Sequence, residues 1–278
     1  MNKQKRIIAI NDISCFGKCS LTAALPILSA AGIETCVLPT ALLSAHTAFE
    51  GFTFSELSTD LTNIVKHWKE LNLGFDAIYT GYLGSKSQIT LVEKIIDMFP
   101  TEVVLVDPVM GDNGRLYEGF DESFAVEMNR LLKKADIIVP NVTEASFLTC
   151  VPYEENAHSQ DYIETLIDKL KKQCPGKIVL TGINLSHNTV GTAVWDGITL
   201  DIIERKKIDV FYSGTGDVFA STLTASYLLG NDIKKSAEIS ADYIIDCIYE
   251  TQKTSGDRNY GINFELCIKN LLSALGII

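Results

Sequence analysis

Tyr212-Ser213-Gly214-Thr215-Gly216-Asp217-Val218-Phe219-Ala220 reads as a turn that becomes a helix. Two glycines bracket a threonine, an acid follows at once, and an apolar run from 218 to 229 comes next. Glycine lets the backbone aim its N–H groups at one point with no Cβ in the way. A helix that begins there adds unpaired N–H donors and the positive end of its dipole, so the turn suits an anion. An aspartate in the first turn would stand beside that anion, placed to take a proton from an attacking hydroxyl. The tetrapeptide alone fits equally well a plain helix cap at Asp217.

Outward from this turn, short β-branched runs alternate with amphipathic segments, the pattern of a parallel sheet covered by helices. Strands are predicted at 6–10, 34–38, 75–79, 103–107, 136–140, 178–181 and 191–195, with another near 199–203. Helices are predicted at 20–31, 55–71, 87–98, 120–133, 143–149, 160–173, 217–229, 234–250 and 264–275. No linker, repeat or low-complexity tract interrupts them. The expected fold is α/β: one domain over 1–278, with a mostly parallel central sheet and helices on both faces.

Ligands of open α/β sheets sit at the carboxyl ends of the strands, and polar clusters follow the predicted strands here. They are Asn11-Asp12-Ile13-Ser14, Ser44-Ala45-His46-Thr47, Thr80-Gly81-Tyr82-Leu83-Gly84, Asp107-Pro108-Val109-Met110-Gly111-Asp112 and Pro140-Asn141-Val142-Thr143-Glu144. All would converge on one edge as a binding crevice.

Composition narrows the ligand. A net charge of −11 over 278 residues argues against nucleic acid as the main partner. A hydrophobic fraction of 46% and a mean hydropathy of +0.15 indicate a filled core, and no apolar run approaches a membrane span. The basic start, Met1 to Arg6, is followed by an apolar run that stops at Asn11-Asp12, which reads as a first strand and not a secretion signal. A cytoplasmic protein is expected. Seven cysteines without a C-x-x-C suggest reduced thiols, with no disulfide framework or zinc site. Cys15 and Cys19 lie in a segment expected near substrate.

Neither usual nucleotide fingerprint is present: there is no G-x-x-x-x-G-K-[ST] and no G-x-G-x-x-G after the first strand. The phosphate site therefore falls on the late 214–217 turn. Asp107 and Asp112 flank a Pro and a Gly, and Glu144 stands three residues after Asn141. Oxygen ligands spread over strand ends suit Mg²⁺ shared with substrate phosphates. Singly, the same residues fit turns and a capping box.

Asn141-Val142-Thr143-Glu144 followed by Gly214-Thr215-Gly216-Asp217 resembles the N-x-x-E and G-T-G-D pair of the ribokinase-like small-molecule kinases. Within that superfamily, Thr80-Gly81-Tyr82-Leu83-Gly84-Ser85, Asp107-Pro108-Val109-Met110-Gly111-Asp112 and Leu43-Ser44-Ala45-His46-Thr47 resemble the pyridoxal (vitamin B6) kinases. The resemblance implies an ATP-dependent kinase acting on a B6 vitamer, often a homodimer. It implies Asp217 as the general base and the N–H groups of Gly214, Thr215 and Gly216 as the hole for the transferring phosphoryl. It also implies that Asp107, Asp112, Asn141 and Glu144 organise Mg²⁺ and nucleotide, that Thr181 lies on the nucleotide side, and that a monovalent cation such as K⁺ sits near the anion hole. Tyr82 would cover a pyridine ring, with Ser44, His46 and Thr47 reaching its substituents. No large lid is expected, because only one further strand candidate precedes residue 55.

One segment departs from the pyridoxal kinase pattern, which has a Ser-His pair after the first strand. Asp12, Ser14 and Gly17 are similar instead to the D-P-S-G-G-x-G opening of the hydroxymethylpyrimidine kinases of thiamine synthesis. Both substrates are small hydroxymethylated nitrogen heterocycles, and an Asp could bond a ring amine. The hydroxymethylpyrimidine or phosphomethylpyrimidine kinase is thus the alternative, with a sugar kinase third. A non-catalytic nucleotide- or vitamer-binding regulator is the alternative of another class, though it would need no base in the anion turn.

Overall fold

The computed structural model describes residues 4–254 and 258–278; the first three residues of the basic N-terminal stretch lie outside them. The chain opens with β1 (Arg6–Ser14), α1 (Ser20–Ala30), β2 (Glu34–Leu43), β3 (Phe54–Glu56) and α2 (Ser58–Glu70). Next come β4 (Ala77–Thr80), α3 (Lys86–Met98), β5 (Val103–Val106), the small hairpin β6 (Gly111–Asp112) and β7 (Arg115–Leu116), and α4 (Glu122–Leu132). Then follow β8 (Ile137–Ile138), α5 (Val142–Thr149), α6 (Gln160–Leu170), and the meander β9 (Lys177–Asn184), β10 (Thr189–Trp195) and β11 (Leu200–Lys206). The chain closes with α7 (Thr215–Leu228), α8 (Ile233–Gln252) and α9 (Ile268–Ala274).

Nine strands form one sheet in the order β11-β10-β9-β8-β5-β4-β1-β2-β3. From β2 to β9 every pair is parallel; β3, β10 and β11 add antiparallel margins. Ile7 to Ile10 show why the central strands read as unbroken apolar runs. All four are fully buried, with Ile7 and Ala9 facing the core beneath α1 and α7 and Ile8 and Ile10 facing the opposite core. β1 lies between β2 and β4, where strand order reverses, and such a switch point leaves a crevice at the strand ends.

The structure corrects several expected boundaries. β1 does not stop at residue 10: it runs through the polar cluster to Ser14, with a register shift between Asn11 and Ile13. Such a bulge re-aims side chains, and it puts Asn11 and Asp12 at the crevice within the strand. The predicted helix at 55–71 begins as β3, because pairing with the extended β2 (Leu43 against Phe54) overrides local propensity. The predicted helix at 264–275 divides into a 3-10 turn, Phe264–Cys267, and α9. The strand expected at 136–140 shortens to Ile137–Ile138 as Pro140 and Asn141 lead into α5. Among the described residues no helix is long and apolar enough to cross a membrane.

Candidate active site

The site is built around Asn11. Its side chain is almost wholly buried. Its Oδ1 accepts the N–H of Tyr82 (2.8 Å) and of Asp12 (2.9 Å), and its Nδ2 donates to Asp217 Oδ1 (3.4 Å). One amide thereby ties β1 to the loop after β4 and to the first turn of α7. The backbone of β4 must come close for this, and a Cβ on Gly81 would lie 2.3 Å from Asn11 Nδ2.

Asp217 enters from α7. Gly214 precedes that helix at φ 77°, in the left-handed region, and a Cβ there would fall 2.0 Å from the Lys18 carbonyl oxygen. Glycine is required on both counts. The first i−4 bond of α7 runs from Val218 N–H to the Gly214 oxygen (3.1 Å), and no side chain caps the helix. The N–H groups of Gly214, Thr215, Gly216 and Asp217 all precede that bond, the geometry of an anion hole. Burial pushes the Asp217 carboxyl up to about 6; a hydrogen bond from the Ser20 N–H opposes this, neighbouring Asp12 adds to it, and the Asn11 amide opposes it.

Ser20 belongs to the site without any signal in the sequence. It opens α1 at φ 53°, unusual for a residue with a side chain. Its N–H favours the Asp217 anion while its hydroxyl favours the Asp12 anion. Asp12 is buried and accepts the Ser14 hydroxyl at 3.1 Å.

On the other flank, Asn141 and Glu144 form a full capping box at the start of α5. Glu144 Oε2 accepts the Asn141 N–H (2.8 Å), Asn141 Oδ1 accepts the Glu144 N–H (2.9 Å), and Glu144 Oε1 takes the Met110 N–H (3.1 Å). The Asn141 amide also holds the Gly111 carbonyl at 2.9 Å. The capping reading of these residues is therefore realised. Thr181 is bridged to Asn141, Asp112 is half-buried with Oδ1 accepting the Asn113 N–H (2.8 Å), and Asp107 is buried after β5. Burial raises both Asp107 and Glu144; the Glu144 and Asp217 charges lift Asp107 further. Among the described residues no three His, Cys, Asp or Glu side chains converge to enclose an ion. Oxygen-only donors under mutual repulsion do fit a Mg²⁺ that keeps waters and shares substrate phosphates.

On the substrate side, Tyr82 is half-buried with its ring 5.6 Å from Phe120. Thr47 is exposed, and exposed Ser44 spends its hydroxyl oxygen on the Thr53 N–H (2.8 Å). His46 is buried and bonds backbone at both ring nitrogens: Nε2 meets the Asn259 carbonyl and Nδ1 accepts the Ala48 N–H (3.3 Å). A cavity of about 260 Å³ beside this region is lined by Cys15, Leu42, Ser44, Thr53, Phe54 and Ser55. A larger one, about 510 Å³, opens by Lys5, Glu102 and Lys177 at the other end of the strands, away from this chemistry.

A family model described as phosphomethylpyrimidine kinase matches residues 25–262. The solved structure of a Bacteroides thetaiotaomicron protein with pyridoxal is 36% identical and superposes with a TM-score of 0.91, covering 97% of this chain and 96% of that one. Pyridoxal kinase from Lactobacillus plantarum is 29% identical, with a TM-score of 0.89 over 98% of both chains. Pyridoxal kinase of Ovis aries is 29% identical over 262 residues, 86% of this chain and 82% of the relative.

Proposed function

The chain belongs to the phosphomethylpyrimidine kinase family, and on that premise we propose that it is an ATP-dependent kinase phosphorylating the 5′-hydroxymethyl group of a vitamin B6 vitamer. The observation that carries this reading is Asp217. A carboxylate that burial lifts to about 6 stands in the first turn of α7, beside N–H groups suited to a phosphoryl group and next to a crevice at the strand switch point. Similarity to a structure holding pyridoxal supports the choice of heterocycle.

In this mechanism the substrate's hydroxymethyl oxygen attacks the γ-phosphorus of ATP. Asp217, mostly ionised at neutral pH, takes the hydroxyl proton as the new O–P bond forms and the bond to the β–γ bridging oxygen breaks, releasing ADP. The N–H groups of Gly214, Thr215 and Gly216 receive the charge that builds on the phosphoryl oxygens; such preorganised donors and positioning do most of the work in phosphoryl transfer. Mg²⁺, held through Asp107, Asp112 and Glu144 with water, would neutralise the β- and γ-phosphates, and K⁺ could support the anion hole. Asn141 and Thr181 would border the nucleotide, while Asp12, Ser14, Tyr82 and the loop carrying Ser44, His46 and Thr47 would border the ring. The reading extends to a homodimer in the cytoplasm: the edge beside β3 exposes Leu42 and Phe54, and all seven cysteines are free thiols.

A second reading, phosphorylation of hydroxymethylpyrimidine, is favoured by Asp12 and by the family description. One assay separates the two: kcat/KM with Mg·ATP for pyridoxal, pyridoxine, pyridoxamine and hydroxymethylpyrimidine side by side. A B6 vitamer is expected to lead. Preference for the pyrimidine would overturn the choice of heterocycle, and no turnover of any of the four would overturn both heterocycle readings and reopen the sugar kinase and the non-catalytic binder.

A further inference from the structure

Asp12 is a buried carboxylate with no Lys or Arg partner among the described residues. Only 4% of it is exposed, and its hydrogen-bonding neighbours are the hydroxyls of Ser14 and Ser20 and its own backbone. The other ionisable groups around it are Asp217, Cys19, Tyr82 and His46. Asp217 repels it, burial keeps Cys19 and Tyr82 protonated, and His46 favours its anion through space while both ring nitrogens bond backbone. Holding a carboxylate out of water is costly; the two hydroxyls, its own backbone and the field of His46 offset part of that cost, and burial remains the largest effect. Burial accordingly pushes its carboxyl upward.

The place of Asp12 relative to Asp217 says what the missing charge belongs to. Ser20 addresses both carboxylates, with its N–H toward Asp217 and its hydroxyl toward Asp12, so one residue bridges the two acids. If Asp217 takes the proton of the hydroxymethyl group, a carboxylate beside Asp217 and Tyr82 would be placed for the substituent on the adjoining ring atom. We propose that Asp12 is the anionic contact for an ammonium group on the ring atom next to the hydroxymethyl-bearing carbon, and that among B6 vitamers this protein selects pyridoxamine. The inference rests on the B6 kinase reading and deepens it. Pyridoxal and pyridoxine carry neutral groups at that atom, whereas pyridoxamine carries a protonated aminomethyl group. Hydroxymethylpyrimidine carries an amino group on the corresponding atom and is the other source of the same contact.

The test compares kcat/KM for pyridoxamine, pyridoxine and hydroxymethylpyrimidine in the wild type, Asp12→Asn and Asp12→Ser, with thermal melts to establish folding. A charge-assisted hydrogen bond in a buried site predicts a pyridoxamine-to-pyridoxine ratio of at least about tenfold in the wild type, falling by at least about tenfold in Asp12→Asn. Asp12→Asn keeps an oxygen for the Ser14 hydroxyl, so loss of the negative charge is isolated. An unchanged ratio in either folded variant overturns the proposal while leaving the B6 reading intact. Preference for hydroxymethylpyrimidine overturns the vitamer choice and the B6 reading together. Should neither variant fold, wild-type dissociation constants decide: equal affinity for pyridoxamine and pyridoxine overturns the proposal, and about tenfold tighter pyridoxamine supports it.

Discussion

Asn11 Nδ2 reaches Asp217 Oδ1 at 3.4 Å, joining the first strand to a helix that lies 206 positions later in the chain. The same amide's oxygen accepts two backbone N–H groups. Asn11 is thus the point at which fold and chemistry are fastened together: the strand supplies its rigidity, and the helix supplies the acid.

Asn11→Ala should therefore damage both. Two buried N–H groups lose their acceptor, which costs about 2 to 4 kcal/mol at roughly 1 to 2 each, measurable as a lower urea midpoint at unchanged m. The Asn11 amide also favours the Asp217 anion. Its removal should move the acidic limb of the kcat/KM–pH profile, which reports the free enzyme, to higher pH than in the wild type. A limb that stays in place would show that Asn11 acts through structure alone.

For Asp217→Asn, turnover and stability should move in opposite directions. Loss of a general base predicts a fall in kcat of about 10² to 10⁴, with ligand binding largely kept. The folded carboxyl sits near 6 against an ordinary 3.8, so the native state disfavours its ionisation. The wild type is stabilised relative to its ionised form below pH 3.8 and loses that advantage as pH rises through 6. Asn never ionises. At pH 8 the variant should gain up to roughly 2 to 3 kcal/mol, a gain that vanishes near pH 3.8. Paired melts at pH 4 and pH 8 test the sign, and equal loss of binding and turnover would contradict the assigned role.

How much of this was legible in the chain depends on the range of the interaction. The strands buried on both faces announced themselves as apolar runs such as Ile7 to Ile10, and the three-residue spacing of Asn141 and Glu144 gave the cap. The glycines flanking Thr215 gave the anion turn. By contrast, nothing local distinguishes Asn11 from any other strand-end amide, because its partners are Tyr82 and Asp217. A serine at φ 53° looks like any serine, so Ser20 went unread. β3 exists because β2 extends to receive it, and His46 is engaged by Asn259, a residue 213 positions away. Long-range pairing decided each of these, and no periodicity encodes it.

Glu144 offers a way to separate capping from metal work. Glu144→Ala leaves the Asn141 and Met110 N–H groups without their acceptor, predicting a loss of about 2 to 4 kcal/mol. Glu144→Gln keeps one acceptor oxygen and should lose about half as much. If the carboxylate also serves Mg²⁺ with its waters, Glu144→Gln should raise the Mg²⁺ concentration needed for half-maximal activity by about tenfold or more. An unchanged Mg²⁺ requirement in a folded Glu144→Gln would confine this residue to the cap. Full wild-type activity in chelator would sink the metal reading altogether.

The two glycines of the anion turn should respond differently to the same methyl group. At Gly214 a Cβ would strike the Lys18 carbonyl at 2.0 Å, and φ is 77°. Gly214→Ala must therefore distort the turn, at a cost of about 1 to 3 kcal/mol or more. At Gly216 a Cβ would meet nothing within 4 Å, and the residue lies in the first turn of α7. Alanine there should leave the fold intact or improve it by up to about 1 kcal/mol. The open space beside Gly216 is where a phosphoryl group would come, so Gly216→Ala should still lower kcat/KM by about tenfold or more through steric exclusion. Melting temperature and kcat/KM measured on both variants decide the matter. A Gly216→Ala protein with wild-type kinetics would mean that phosphoryl transfer takes place elsewhere than over this turn.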